Sequence, residues 1–250
     1  MRNPVKNDYI TAKRLDKATT WAIALSSTFI IISCLQLKFE HLNIQRISEI
    51  AAFVFGAISW VLSLVCSQYI LNADSNRKKM SIDNAFNMTY GEERSQNYYT
   101  NDNIKNGLPR FAVNCFECCF FTYNIAKRML WKERRNSVAV IAICLIALVL
   151  GNVDTLLVIG NISIVTTIIQ SWVRLEVLSH RSKHILDSFR ELYSIKEAKK
   201  NTRESKMLLL THEYETLISW AGILLDEKIY EKYNKQLSEE WNNTKVEYSI

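Results

Sequence analysis

The sequence predicts an all-α integral membrane protein with four transmembrane helices arranged as two hairpins. Roughly 20 apolar residues in a helix cross a hydrocarbon layer of about 30 Å. Four uncharged stretches have about this length: residues 18–37, 50–73, 136–153 and 155–173. The chain of 250 residues contains only 2 prolines and 6 glycines, which favours helix throughout. The mean hydropathy of −0.05 averages the apolar stretches with strongly charged segments and so hides them.

A signal peptide and the core of a soluble protein both fit the apolar stretches less well than membrane spans do. The first stretch follows Lys13, Arg14 and Lys17, as a signal peptide would, but its apolar part is too long and no small-residue cleavage site follows. Helices in the core of a soluble protein carry a charged face, and these four stretches have none.

The basic residues predict the topology. Lys and Arg cluster before the first and third stretches and after the second and fourth, whereas the connection 38–49 and the one around Asp154 are nearly neutral or acidic. Because cytoplasmic flanks carry the Lys and Arg excess, we expect a membrane protein with both termini and the middle segment inside the cell. Its predicted parts are a cytoplasmic N-terminus (1–17), a transmembrane hairpin (18–73), a cytoplasmic helical insert (74–136), a second hairpin (137–173) and a cytoplasmic helical region (174–250). The net charge of +6 is then membrane-facing, and no nucleic-acid polymer is needed to explain it.

Two spans contain polar or small residues that point to helix packing or to a pore. The second span has small residues at three-four spacing on one helical face, which favours a close helix–helix seam over a pore lining. The fourth span carries polar residues that would be costly against lipid, so they face protein or water, as a pore wall or as packing. The residues concerned are Gly56, Ser59, Ser63, Ser67, Asn161, Ser163, Thr167 and Gln170. No Asp, Glu, Lys, Arg or His lies inside any span, which favours passive permeation or bilayer disruption over pumping.

The insert between the hairpins is predicted to be mostly helical. A helix continues from the second span until Tyr90 and Gly91, residues 92–107 form an exposed polar loop, and Pro109 lies in the first turn of the next helix.

The region after the fourth span is predicted to be helical as well. An amphipathic helix continues inward, residues 196–206 form a charged break, Ser219 and Trp220 mark a turn, and a last amphipathic helix follows.

Neither a catalytic motif nor a complete metal site is found. Cys115, Cys118 and Cys119 cluster, but zinc needs four ligands and no second Cys or His pair has suitable spacing, since His180 and His184 fit a solvated helix face. We expect reduced, structural cysteines, with palmitoylation as an alternative for this cluster. Walker, dinucleotide-binding and hydrolase motifs are all missing from the sequence, so neither an enzyme nor a cofactor is predicted.

Three short motifs accompany the layout of two spans, an insert, two spans and a helical tail. The motif residues are Ile82, Asp83 and Phe86, then Tyr123, Asn124, Trp131, Arg134 and Arg135, and finally Asp226, Tyr230 and Tyr233. In this layout and these motifs the chain resembles the SMODS-associated four-transmembrane effectors of bacterial cyclic-oligonucleotide antiphage systems (CBASS). The chain departs from the family pattern at Asn87, where Asp is common, and lacks a Pro before the last motif.

The resemblance implies a membrane effector that binds a cyclic oligonucleotide made by a partner nucleotidyltransferase, oligomerises, and permeabilises the inner membrane in abortive infection. Phosphates bind Arg and Lys, and bases stack on aromatic rings. Cytoplasmic residues of these types are Arg77, Lys78, Lys79, Arg94, Tyr98, Tyr99, Arg110, Arg181 and Lys183. Anchoring of the membrane-proximal cations to anionic headgroups is the alternative role for each of them. A constitutive channel or transporter subunit and a non-conducting membrane anchor remain alternative functions.

Overall fold

The structure, a computed structural model, describes residues 6–36, 42–91, 101, 103–150, 155–195 and 199–250. The described part consists of six α-helices and contains no strand, so the all-α prediction is confirmed. The helices are α1 (Lys6–Gln36), α2 (Leu42–Phe86), α3 (Leu108–Leu150), α4 (Thr155–Ser194), α5 (Lys200–Ala221) and α6 (Glu227–Tyr248).

The chain divides into two compact units. We call the first the core unit; it contains Met1–Tyr9, Ile70–Leu130 and Arg174–Ile250. We call the second the apolar unit; it contains Ile10–Tyr69 and Trp131–Val173. Helices α1, α2, α3 and α4 each contribute residues to both units, so four continuous helices connect them.

The core unit is built around the buried ring of Phe116 on α3. Its ring centroid lies 5.2 Å from that of Phe189 and 5.6 Å from that of Tyr193, both on α4, and 5.0 Å from that of Trp241 on α6. Such aromatic pairs add about 0.5–1.5 kcal/mol each beyond the area they bury. Helix α5 joins the same core through buried side chains that include Met207 and Tyr214. The insert and the C-terminal region therefore fold as one hydrophobic unit.

The end of α2 is fixed by hydrogen bonds from the turn that follows it. The helix ends at Phe86, slightly before the predicted stop, and both carboxylate oxygens of Asp83 accept bonds of 2.7 Å from the backbone N–H groups of Tyr90 and Gly91. Most of the predicted 92–107 loop lies outside the described residues. Helix α3 begins at Leu108, so Pro109 stands in its first turn as the sequence predicts.

Helix α5 differs from the sequence prediction at both ends. It begins at Lys200, inside the segment expected to be a charged break, and it continues through the predicted turn at Ser219 to Ala221. Gly222 ends it with a left-handed φ of 55°, a conformation in which glycine is unstrained. Burial of one face of α5 and the hydrogen bonds of Ser219 outweigh the local polar signals that predicted the breaks.

The apolar unit contains most of two helical segments that are candidates for membrane spans. Within the described part of the chain, the segments Tyr9–Ser33 and Ile44–Phe86 are long and apolar enough to cross a membrane, by length and composition. Only 22% of the most apolar stretch of each is buried. The predicted connection at Asp154 lies outside the described residues.

Candidate functional site

A cluster of charged and hydroxyl side chains joins α2 to α5 inside the core unit. We call it the α2–α5 network; its members are Asp74, Arg77 and Lys78 on α2 and Glu215 and Ser219 on α5. Arg77 donates from Nε (3.1 Å) and Nη2 (2.8 Å) to Asp74 Oδ1, and from Nη1 (3.1 Å) to Glu215 Oε1. Its Nη2 also bonds Glu215 Oε2. One guanidinium therefore holds a carboxylate on each helix.

Ser219 and Lys78 complete the network. The Ser219 hydroxyl donates to Asp74 Oδ2 and accepts from Lys78 Nζ, which also lies 3.1 Å from Asp74 Oδ2. The spacings of three and four residues on α2, and of four on α5, place all members on facing sides of the two helices. Two carboxylates balance two cations, so the network is formally neutral.

The network is largely withdrawn from solvent. The exposed side-chain fractions are 15% for Arg77, 6% for Asp74 and 13% for Glu215. The Cys115 thiol lies 3.8 Å from Glu215 Oε1, and burial raises the pKa of this thiol well above its usual value, so it stays protonated beside the carboxylate. Breaking one partner of a buried pair costs about 3–5 kcal/mol, because the other charge is left uncompensated.

Of the residues predicted to bind a nucleotide, some bond to other parts of the protein, some are exposed, and some lie outside the described residues. Arg77 and Lys78 are engaged in the α2–α5 network. Arg110 donates from Nε (2.9 Å) and Nη2 (2.7 Å) to the Ile104 carbonyl, where it holds the turn before α3. Three further cations, Lys79, Arg181 and Lys183, are exposed. The loop residues Arg94, Tyr98 and Tyr99 lie outside the described residues.

The small-residue face of α2 lies against α1 at Gly56, in the apolar unit. Gly56 and Ser59 are buried, and Ser63 and Ser67 are partly buried. The Ser26 hydroxyl of α1 donates to the Ala52 carbonyl of α2 at 2.7 Å, which requires a close approach of the two helices. Ser59 donates to the Gly56 carbonyl and Ser67 to the Ser63 carbonyl, so these hydroxyls are satisfied within α2.

The polar residues of the fourth apolar stretch are only partly covered by the structure. The side chains of Asn161, Ser163 and Thr167 lie outside the described residues, although their backbone belongs to α4. Gln170 is exposed.

Sequence patterns did not reveal the acids and the hydroxyl of the α2–α5 network. Asp74 and Glu215 lie far apart in the chain, and an acidic residue beside a basic one on a helix is ordinary. One sequence signal was present: Asp74, Arg77 and Lys78 directly follow an apolar stretch at pairing distance along a helix.

No protein-family model, curated protein or solved structure matches the chain. Across the described ranges, no group of three or more His, Cys, Asp or Glu side chains is placed to hold a metal ion. The resemblance to four-transmembrane effectors is therefore supported only by the layout and the motifs of this sequence.

Proposed function

We propose that the protein is a bacterial inner-membrane effector with four transmembrane helices, activated by a nucleotide second messenger to oligomerise and permeabilise the membrane. The exposure of the apolar helices carries the membrane assignment, and the resemblance to four-transmembrane effectors supports the rest of the proposal. On α2, Trp60 is 56% exposed, Val61 52% and Leu64 50%. A core helix of a soluble protein would bury such side chains, whereas a transmembrane helix presents them to lipid.

The second hairpin is supported by the same argument. Helices α3 and α4 run without interruption from the core unit into the third and fourth apolar stretches. On α3, Val138, Leu145, Ile146 and Val149 are between 56% and 83% exposed. Four spans in two hairpins place both termini and the whole core unit on one side of the membrane. The basic flanks of the spans make that side the cytoplasm.

The α2–α5 network supports a role for the core unit in gating. Helix α2 has 45 residues, about 67 Å at 1.5 Å per residue, and it contains both the second apolar stretch and the network residues Asp74, Arg77 and Lys78. A ligand that moves α5 would act on α2 through the ion pairs of Arg77. Four spans per chain are few for a wide pore, so permeabilisation requires several subunits.

The proposal is tested by leakage from liposomes that contain the purified full-length protein and a trapped dye. Cyclic di-AMP, cyclic GMP–AMP, cyclic di-UMP and cyclic triadenylate are added separately, and propidium uptake by expressing cells gives the cellular counterpart. We expect leakage only when a nucleotide is present. Leakage without nucleotide would favour a constitutive channel, and no leakage in either condition would favour a non-conducting anchor.

Membrane insertion is tested separately with a matched pair of variants. Val61→Lys places a charge in the exposed apolar face and should oppose insertion by about 3 kcal/mol, whereas Val61→Leu keeps the face apolar. After fractionation, the Leu variant should be found in the membrane fraction, and much of the Lys variant should be missing from it. Recovery of the wild type as a soluble monomer without detergent would refute the membrane assignment.

A further inference from the structure

The core unit contains a cavity of about 340 Å³, close to the lower end of the usual range for small-molecule sites. The start of α3, the end of α4, the first turns of α5 and the residues after α6 form its walls. Its apolar wall includes Ile104, Pro109, Val113 and Met207. None of the residues predicted from sequence to bind a ligand lines it.

Two buried polar atoms at the cavity lack a hydrogen-bond partner among the described residues. They are the Tyr193 hydroxyl and Arg203 Nε, and both residues line the cavity. Tyr193 is only 6% exposed, and the Arg203 guanidinium carbon lies 5.7 Å from its ring centre. A buried polar atom without a partner costs about 1–3 kcal/mol, so such atoms call for an explanation.

The cavity also borders the positive end of a helix. Helix α5 begins at Lys200, and the residue before it, Lys199, provides no side-chain cap for the free N–H groups of the first turn. Lys200 and Arg203 line the cavity from this turn, together with Glu204, which lies 3.9 Å from Lys200. The helix dipole and the net positive charge of Lys200, Arg203 and Glu204 at this turn attract an anion.

We propose that this cavity binds an organic phosphate. The phosphate lies at the first turn of α5 and bonds Arg203, and the body of the ligand lies along the apolar wall beside Tyr193. Planar guanidinium groups and helix N-termini are both suited to phosphate oxygens. Because both unpartnered atoms are buried, the ligand reaches them by displacing the Arg203 side chain from the Tyr193 ring. Under the proposed function, on which this assignment of the ligand depends, the organic phosphate is the nucleotide messenger.

The test measures binding to the full-length protein in phosphatidylcholine nanodiscs by calorimetry. The probes are the four cyclic nucleotides used for leakage and AMP, and adenosine is the control without phosphate. At least one phosphate probe should bind the wild type while adenosine does not. Arg203→Gln should weaken that binding about 10-fold or more, the loss typical of a charge-assisted hydrogen bond. Lys206→Gln removes a charge from the same helix, where Lys206 pairs with Glu191 outside the cavity lining, and should leave binding unchanged.

Tyr193→Phe separates a ligand contact from a structural role. Removing a buried hydroxyl that has no partner should leave the melting temperature unchanged or raise it, yet nucleotide binding should weaken. Binding of a phosphate probe equally by the wild type, Arg203→Gln and Tyr193→Phe would overturn the site and leave the proposed function standing. If no phosphate probe binds the wild type, the site is overturned, and the leakage assay decides the proposed function independently.

A free nucleotide and a lipid headgroup are two sources of the same phosphate chemistry. Repeating the titration in nanodiscs that contain phosphatidylglycerol distinguishes them. Unchanged nucleotide binding supports the free ligand. Competition by phosphatidylglycerol that disappears in Arg203→Gln supports the phosphate site but overturns its assignment to a nucleotide.

Discussion

Replacing Arg77 with glutamine should destabilise the core unit by about 3 kcal/mol, near the lower end of the cost of breaking a buried ion pair. After the change, Asp74 still has Lys78 at 3.1 Å and the Ser219 hydroxyl. Glu215 keeps the weak Cys115 contact at 3.8 Å, and its carboxylate, 13% exposed, loses the guanidinium. One largely buried carboxylate is thus left poorly compensated, which is why we expect a cost near 3 rather than near 5 kcal/mol.

The assay is thermal unfolding of the full-length protein in nanodiscs, followed by tryptophan fluorescence, with Trp241 as a buried reporter in the core unit. A loss of about 3 kcal/mol should lower the melting temperature by roughly 6–12 °C. The double variant Arg77→Gln with Glu215→Gln should recover most of this loss, because no uncompensated charge remains. Arg190→Gln is the control; its pair with Asp187 is 41% and 52% exposed, so its loss should stay below about 1 kcal/mol. Wild-type melting of Arg77→Gln, or a double variant no more stable than the single one, would refute the reasoning.

Three further predictions concern packing, cysteine chemistry and a helix cap. A Cβ at Gly56 would lie 3.6 Å from Ser26 Oγ, so Gly56→Ala should fold normally while Gly56→Leu should separate α1 from α2 and lower the melting temperature. Burial raises the pKa of Cys115 and Cys119 well above the usual value of about 8.5, so both should resist maleimide at pH 8 and react after denaturation, as read by peptide mass spectrometry. As the pH rises above that ordinary pKa, the thiols ionise in the unfolded chain but stay neutral in the folded protein, so the folded protein should lose stability. Melting temperatures that stay constant from about pH 8 to 11 would contradict this. Gly222→Ala should cost roughly 1–2 kcal/mol because φ is 55°, and Gly222→Asn should cost less, which thermal unfolding would show.

The helical architecture could be predicted because its signals are local. Uncharged stretches of bilayer length, Pro109 in a first turn and the shortage of proline and glycine all act over a few residues, and the structure has α3 beginning at Leu108. The ends of α5 could not be predicted. Burial of Met207 and Tyr214 in the common core keeps the helix continuous through polar segments, and this tertiary contribution has no local pattern.

The candidate site was harder to predict than the fold, because pairing partners come from distant parts of the chain. Basic residues just after an apolar stretch suggested contacts with phosphate or headgroups, yet Arg77 finds its second carboxylate on Glu215. The cavity has no sequence signal for a similar reason. Tyr193 and Arg203 are separated by a helix end and a connection, and only the folded core unit places the guanidinium over the ring.

Helix α5 connects the two sites that the structure brings out. Its first turn lines the cavity through Lys200 and Arg203, and its last turns carry Glu215 and Ser219 of the α2–α5 network. From Arg203 to Ser219 the helix is about 24 Å long at 1.5 Å per residue, and coupling between the two sites requires this segment to move as one body.

Ser219→Ala tests this coupling because it removes one hydroxyl from the network at a cost of about 1 kcal/mol and leaves the cavity untouched. We expect unchanged nucleotide affinity and a higher nucleotide concentration for half-maximal dye leakage. Thr211→Ser, on the same helix, is the matched control, since its hydroxyl donates to the Leu208 carbonyl outside the network. Equal leakage curves for Ser219→Ala and the wild type would show that the α2–α5 network does not transmit the signal, whereas weakened binding would place Ser219 in ligand recognition instead.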